Sequence, residues 1–161
     1  MFPILFTLPP YNAGANIRPA RLLVRSNTAA QQCIEATGTT VPFIGVSENR
    51  YKYAPGGFEQ VAYPYLALAA GVINSAAPAD GVEYKGPGQE ADVITGGAIT
   101  AANLTNPLTS DSQGRAITVS VPTTASTVVY IAGYPLETAA AAGAVIRMVV
   151  AQSIPLDIGA S

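Results

Sequence analysis

The sequence predicts a mainly β fold, a compact β-barrel or β-sandwich with an extended N-terminal arm and at most one or two short helices. Three observations carry this expectation. Short runs rich in Val, Ile, Tyr and Thr recur along the chain with turn residues between them. Gly and Pro, 15 and 13 of 161 residues, punctuate the sequence too densely for long helices. The one stretch of high helical propensity, residues 136–142, is cut by Gly143. A chain of this length buries about two thirds of its unfolded surface on folding and needs no covalent staples.

The opening residues, MFPILFTLPP, are apolar but interrupted by Pro3, Pro9 and Pro10, which forbid a stable helix. Without a basic leading region or a cleavage site they read as an extended arm rather than a signal peptide. Residues 1–19 are therefore assigned to the arm and residues 20–161 to a β-rich domain. An apolar arm must dock on something. Residues 21–25 (RLLVR), 31–36 and 40–46 read as strands, with Thr37, Gly38 and Thr39 supplying the turn between the second and third. The polar and aromatic residues 48–57 read as an exposed loop. Residues 58–65 (FEQVAYPY) read as a strand that Pro64 confines to an edge or ends. Residues 66–73 fit either a strand or a buried helical turn. From residue 73 to 97, closely spaced Gly and Pro predict short strands joined by tight loops.

The last third is the most patterned. The SDSQGR segment, residues 110–115, reads as a β-turn with Gly114 at positive φ, followed by strands at 116–121 and 126–132. For residues 137–150 the expected arrangement is a brief helical turn at 137–142 and a strand at 144–150, because Val145, Ile146, Val149 and Val150 are β-branched. The competing reading is one helix over 137–152, in which Gly143→Ala would stabilise by roughly 0.5–1 kcal/mol.

Composition bounds function. Charged residues are only 11% of the chain and hydrophobic residues 49%, where an ordinary domain carries about 25% charged residues. So few charges imply a surface partly covered by partners, and self-association is the first inference. The net charge of −2 does not point to nucleic acid. Its distribution is uneven: residues 1–52 hold five basic and two acidic residues, and residues 53–161 three basic and eight acidic. Such a split can orient the molecule on a partner surface. No stretch approaches the ~20 unbroken apolar residues of a membrane-spanning helix, so no membrane partner is expected.

Catalytic chemistry is poorly represented. The chain has no His, which removes the commonest general base and the Ser-His and Cys-His pairs. Cys33 is the single cysteine and reads as a buried apolar residue. Glu83, Glu90 and Asp92 read as solvated loop acids rather than a glycosidase pair. The glycines of GPGQEADVITGG lack the Lys-Ser/Thr ending and strand-loop-helix setting of a phosphate loop. Asp111 alone is too few carboxylates for a calcium loop. No enzyme activity, cofactor or metal is expected. The candidate partner-binding residues are Phe2, Ile4, Leu5 and Phe6 on the arm and Arg18, Arg21 and Arg25 after it.

The phrases TGGAITAANLTNPLTSDSQGRAI, residues 95–117, and GYPLETAAAAGAVIRMVV, residues 133–150, resemble the head decoration (capsid cement) proteins of tailed phages. FIGVSE, residues 43–48, is similar to an Ile-Gly-Val phrase of the same family. The long Pro-rich arm and the 49–57 loop depart from its shortest members. The resemblance implies a β-tulip-like barrel that binds the major capsid protein on the outer surface of the virion, often as a homotrimer, and stabilises an expanded head. A second reading is a head-fibre or host-attachment module that binds surface carbohydrate through Tyr51, Tyr53, Tyr63 and Tyr65. These tyrosines equally suit loop anchors or an intersubunit core.

Overall fold

The computed structural model describes residues 8–48, 78–79, 81–119 and 128–158. They form a mainly β structure. In chain order the strands are β1 (Asn12–Ala13), β2 (Leu22–Arg25), β3 (Gln32–Glu35), β4 (Phe43–Ser47), β5 (Tyr84–Lys85), β6 (Glu90–Ile94), β7 (Leu108–Ser110), β8 (Ala116–Thr118), β9 (Val128–Tyr130), β10 (Gly133–Pro135), β11 (Val145–Val150) and β12 (Pro155–Asp157). A single 3-10 turn among the described residues covers Ala101–Asn103. The strands make one five-stranded sheet in the order β1-β3-β2-β4-β5, a second in the order β6-β11-β10-β7-β8, and a two-stranded ribbon of β9 and β12.

The two larger sheets enclose the main core. Along β11 the alternation required of a half-buried strand turns Ile146, Met148 and Val150 inward and leaves Arg147 exposed. They pack with Leu22, Val24, Phe43 and Val46 of the first sheet and Val93 and Leu108 of the second. Two backbone bonds join the sheets directly: Leu22 N–H donates to Gly114 O at 2.8 Å and Ile94 N–H to Ala20 O at 3.0 Å.

β2 is buried on both faces, and this explains the segment before it. Its other face carries Leu23, which clusters with Ala13, Ile17, Cys33 and Tyr84, and Leu8 and Tyr11 pack against that cluster. Residues 8–19, expected as arm, thus dock on their own domain. Asn12–Ala13 pairs in parallel with β3, and the Tyr84 hydroxyl donates to Pro9 O at 2.7 Å. Residues 1–7 lie outside the described residues, as do the strand expected at 58–65 and the strand or helical turn expected at 66–73.

Elsewhere the expected strands are present with shifted ends. The strand expected at 126–132 is present as β9 and ends at Tyr130: β9 belongs to the ribbon, the chain crosses at Ile131 and Ala132, and β10 begins in the second sheet. Only glycine fits at the start of β10. A Cβ on Gly133 would collide with Val149 O and the Met148 methyl.

The helical turn expected at residues 137–142 does not form. Ala139 exchanges backbone bonds with Ile99, 2.9 Å and 2.8 Å, and the Ala141 carbonyl accepts from Thr95 Oγ1 at 3.1 Å. Local alanine propensity, worth a few tenths of a kcal/mol per residue, yields to these long-range bonds. Gly143 then turns the chain into β11 at φ +87°.

No heavy atom outside its chain neighbours lies within 4 Å of the position a Cβ would take at Gly143, so the backbone alone resists a side chain there. Gly143→Ala is expected to lower stability by about 1 kcal/mol, seen as a melting temperature about 3 °C lower. A rise in melting temperature would refute the strained-turn account.

Candidate functional site

The three candidate arginines differ in what they have left for a partner. Arg18 spends its guanidinium on Glu35: Nη2 donates to Oε2 at 2.6 Å and Nε lies 3.1 Å from both carboxylate oxygens. Its backbone N–H also donates to Glu35 Oε1 at 2.6 Å. This close interaction raises the Arg18 pKa further, against the opposing effect of burial. Arg21 is only 3% exposed. Its backbone is clamped by Ser47, whose Oγ accepts the Arg21 N–H at 2.9 Å and whose N–H donates to Arg21 O at 2.9 Å. The Arg21 Nε and Nη1 atoms are buried with no hydrogen-bond partner. Burial first, and then the neighbouring Arg18, pull this guanidinium down to about 10.

Asp111 and Arg115 complete the charged cluster from the turn before β8. The Asp111 carboxylate accepts the backbone N–H groups of Gln113 and Arg115 at 2.8 Å and 2.9 Å and the Arg115 Nε at 2.6 Å. Burial pushes this carboxyl up, but the Arg115 and Gln113 hydrogen bonds outweigh it and hold it below the usual carboxylate range. The turn is the one expected from SDSQGR, with Gly114 at φ +72°. Arg18 and Arg21 are therefore part of the interior framework. Arg25, at the end of β2, is exposed and enters no ion pair among the described residues. Phe2, Ile4, Leu5 and Phe6 lie outside the described residues, as do Tyr51, Tyr53, Tyr63 and Tyr65.

Two concave surfaces are lined by described residues. A cleft of about 390 Å³ runs between the β4–β5 edge and β6, lined by Glu48, Lys85, Glu90, Asp92 and Arg147 among others. Its charges largely neutralise one another through Lys85–Glu48 at 2.8 Å and Arg147–Glu90 at 3.8 Å. The second is a groove of about 310 Å³ in whose lining the described residues, Leu8, Tyr11, Phe43, Ile44 and Tyr84 among them, carry no charge. Beside it stand exposed Val41 and Ile154, and Val128 is similarly exposed on β9. Sequence reasoning missed this uncharged end. Its signal was there in the runs 36–47, 116–136 and 148–156, none of which contains a charged residue.

Other chemistry is muted among the described residues. Cys33 is buried in the second cluster, which pushes its thiol up to about 11. No group of three or more Cys, Asp and Glu side chains is placed to hold a metal ion. No helix among the described residues is long and apolar enough to cross a membrane.

No protein family and no curated protein matches the chain in sequence. Among solved structures it is similar to the N base of head fiber gp8.5 of bacteriophage phi29, with 19% identity and a TM-score of 0.53. The match covers 89% of this chain and 92% of that one. What the two proteins share at this identity is the fold.

The Asp111 geometry gives a pH dependence with a definite sign. Its folded pKa lies below the unfolded value, so its contribution is fully present above about pH 4 and is lost as the pH falls through the folded value. Asp111→Ala is expected to cost about 1–2 kcal/mol at neutral pH, because three donors lose their acceptor. Urea unfolding of both proteins should show that difference shrinking below about pH 4. A difference constant down to strongly acid pH would refute this role.

Proposed function

We propose that this chain is a structural protein of a bacteriophage head that sits on the outer surface of the virion and binds the major capsid protein. The observation that carries the reading is the fold it shares, over 89% of its length, with the base of a phage head fiber. The decoration-protein phrases in residues 95–117 and 133–150 point to the same location independently. Low charge, a two-sheet core, and Arg18 and Arg115 committed to ion pairs within the subunit suit a part that is mounted and held.

In the leading form of the proposal the protein is a cement protein. It docks as a homotrimer and stabilises the expanded head, with Phe2, Ile4, Leu5 and Phe6 supplying apolar contact to the capsid protein and Arg25 remaining free for a partner. Several modest contacts made at once by one oligomer give strong attachment through avidity. The second form, favoured by the structural neighbour, is a base on which a projecting fibre or receptor-binding element is mounted.

The test is to add purified protein to expanded, undecorated heads of the parent phage and image them by electron cryomicroscopy. Density on the outer lattice is expected, and its absence at saturating protein would overturn the proposal. A higher temperature of head disruption would select the cement form, whereas binding without stabilisation would select the fibre base. Deleting residues 1–7 is expected to leave the melting temperature of the isolated protein unchanged while weakening head attachment by about tenfold or more, the equivalent of ~1.4 kcal/mol per attachment. Attachment unaffected by the deletion would remove the N-terminal residues from the docking surface.

A further inference from the structure

We infer that the buried guanidinium of Arg21 holds a small monovalent anion of the chloride class inside the subunit, at the junction of β2 with the 111–115 turn. The inference is independent of the phage-head proposal, because it follows from the unmet hydrogen bonds and the charge of one side chain.

A guanidinium carries five N–H donors and no acceptor. Arg21 is only 3% exposed, and its Nε and Nη1 are buried without a hydrogen-bond partner. The acceptors around it are already engaged. Both carboxylate oxygens of Glu35 accept from Arg18. On Asp111, Oδ1 accepts the backbone N–H groups of Gln113 and Arg115, and Oδ2 accepts the Arg115 Nε. Ser47 Oγ takes the backbone N–H of Arg21, not its side chain, and donates its own proton to Arg18 O at 2.7 Å.

Charge decides between an anion and a water molecule. The charged groups that act on Arg21 are Arg18, Arg115, Glu35 and Asp111. Three arginines against two carboxylates leave one positive charge in excess. Burial, the largest cause, lowers Arg21 only to about 10, so it stays protonated at neutral pH. A water can accept from the guanidinium but leaves that charge buried and uncompensated, which is costly. An anion seated on one edge of the guanidinium accepts N–H bonds and cancels the charge.

Size follows from burial. Neither of the two concave surfaces has Arg21 in its lining, and a carboxylate of another molecule reaches Nε and Nη1 only if the subunit opens. A monatomic anion is the class that fits. It acts next to Leu22, whose N–H donates to Gly114 O and joins the two sheets, so its binding favours the folded state.

The test is urea unfolding of the full chain while chloride replaces gluconate at constant ionic strength, from micromolar upward. Once chloride exceeds its dissociation constant, the unfolding equilibrium constant is expected to fall about tenfold for each tenfold rise in chloride. Arg21→Met removes the donors and the charge and is expected to lose this dependence, whereas Arg25→Met, at an exposed arginine, should keep it. Crystals of the parent chain soaked in bromide should show an anomalous peak within hydrogen-bond reach of the Arg21 guanidinium. Stability of the parent that does not respond to chloride overturns the inference, and so does an equal response in Arg21→Met. If Arg21→Met does not fold, the bromide crystals decide, and the absence of bromide at Arg21 overturns the site.

Discussion

Burial of β2 on both faces is the constraint around which the rest of this structure is arranged. Leu22 and Val24 point into the main core, and Leu23 points the other way into the second cluster. A five-stranded sheet with one apolar face can leave its other face in water, but a sheet whose central strand is apolar on both sides cannot. The second sheet covers one side. The other is covered by Leu8, Tyr11, Ala13 and Ile17, so the start of the chain becomes a structural layer. Fully burying each such aliphatic side chain contributes about 1.5–3 kcal/mol. That is enough to hold a Pro-rich segment in place despite the entropy lost on ordering it.

The same packing decides where charge can be used. Arg21 follows the β2 alternation to a buried position, and Ser47, Arg18 and the 111–115 turn close around it. Isolated burial of a guanidinium is costly. The nearby Glu35 and Asp111 carboxylates offset part of that cost while each serves its own arginine at 2.6 Å. Arg18 and Arg21 are thus held within the subunit, one paired with Glu35 and the other buried. Among the described residues the surface has a charged side around Arg147, Glu90 and Asp92 and an uncharged end around Val41 and Ile154.

Such a division suits a mounted protein. Contacts built from aliphatic and hydroxyl side chains need shape agreement over an area, which a repeated lattice or a ring of identical copies supplies. The turn at residues 137–143, fastened through Ala139 to Ile99 and through Gly143 to Thr95, contributes rigidity in place of a site. A scaffold tied by long-range bonds between its loops keeps its outer surfaces in fixed relation to one another.

The sequence by itself determined the class of the fold and most of its local punctuation. Alternation and β-branching located β2, β3, β4, β8 and β11, and the need for positive φ located Gly114 and Gly143, because these signals act over a few residues and do not depend on what lies opposite. Cys33 was likewise legible as a buried residue. Only the tertiary structure decided how residues 8–19 dock, that residues 128–135 split between two sheets, and that residues 137–142 are not helical. Each of those outcomes is set by a partner far away in sequence: Gln32 and Cys33 for β1, Met148 and Val149 behind Gly133, Ile99 opposite Ala139. The candidate arginines follow the same rule. A basic residue in sequence is a free charge until a carboxylate or a second sheet is brought to it, and the fold brings Glu35 to Arg18, buries Arg21, and leaves Arg25 outside.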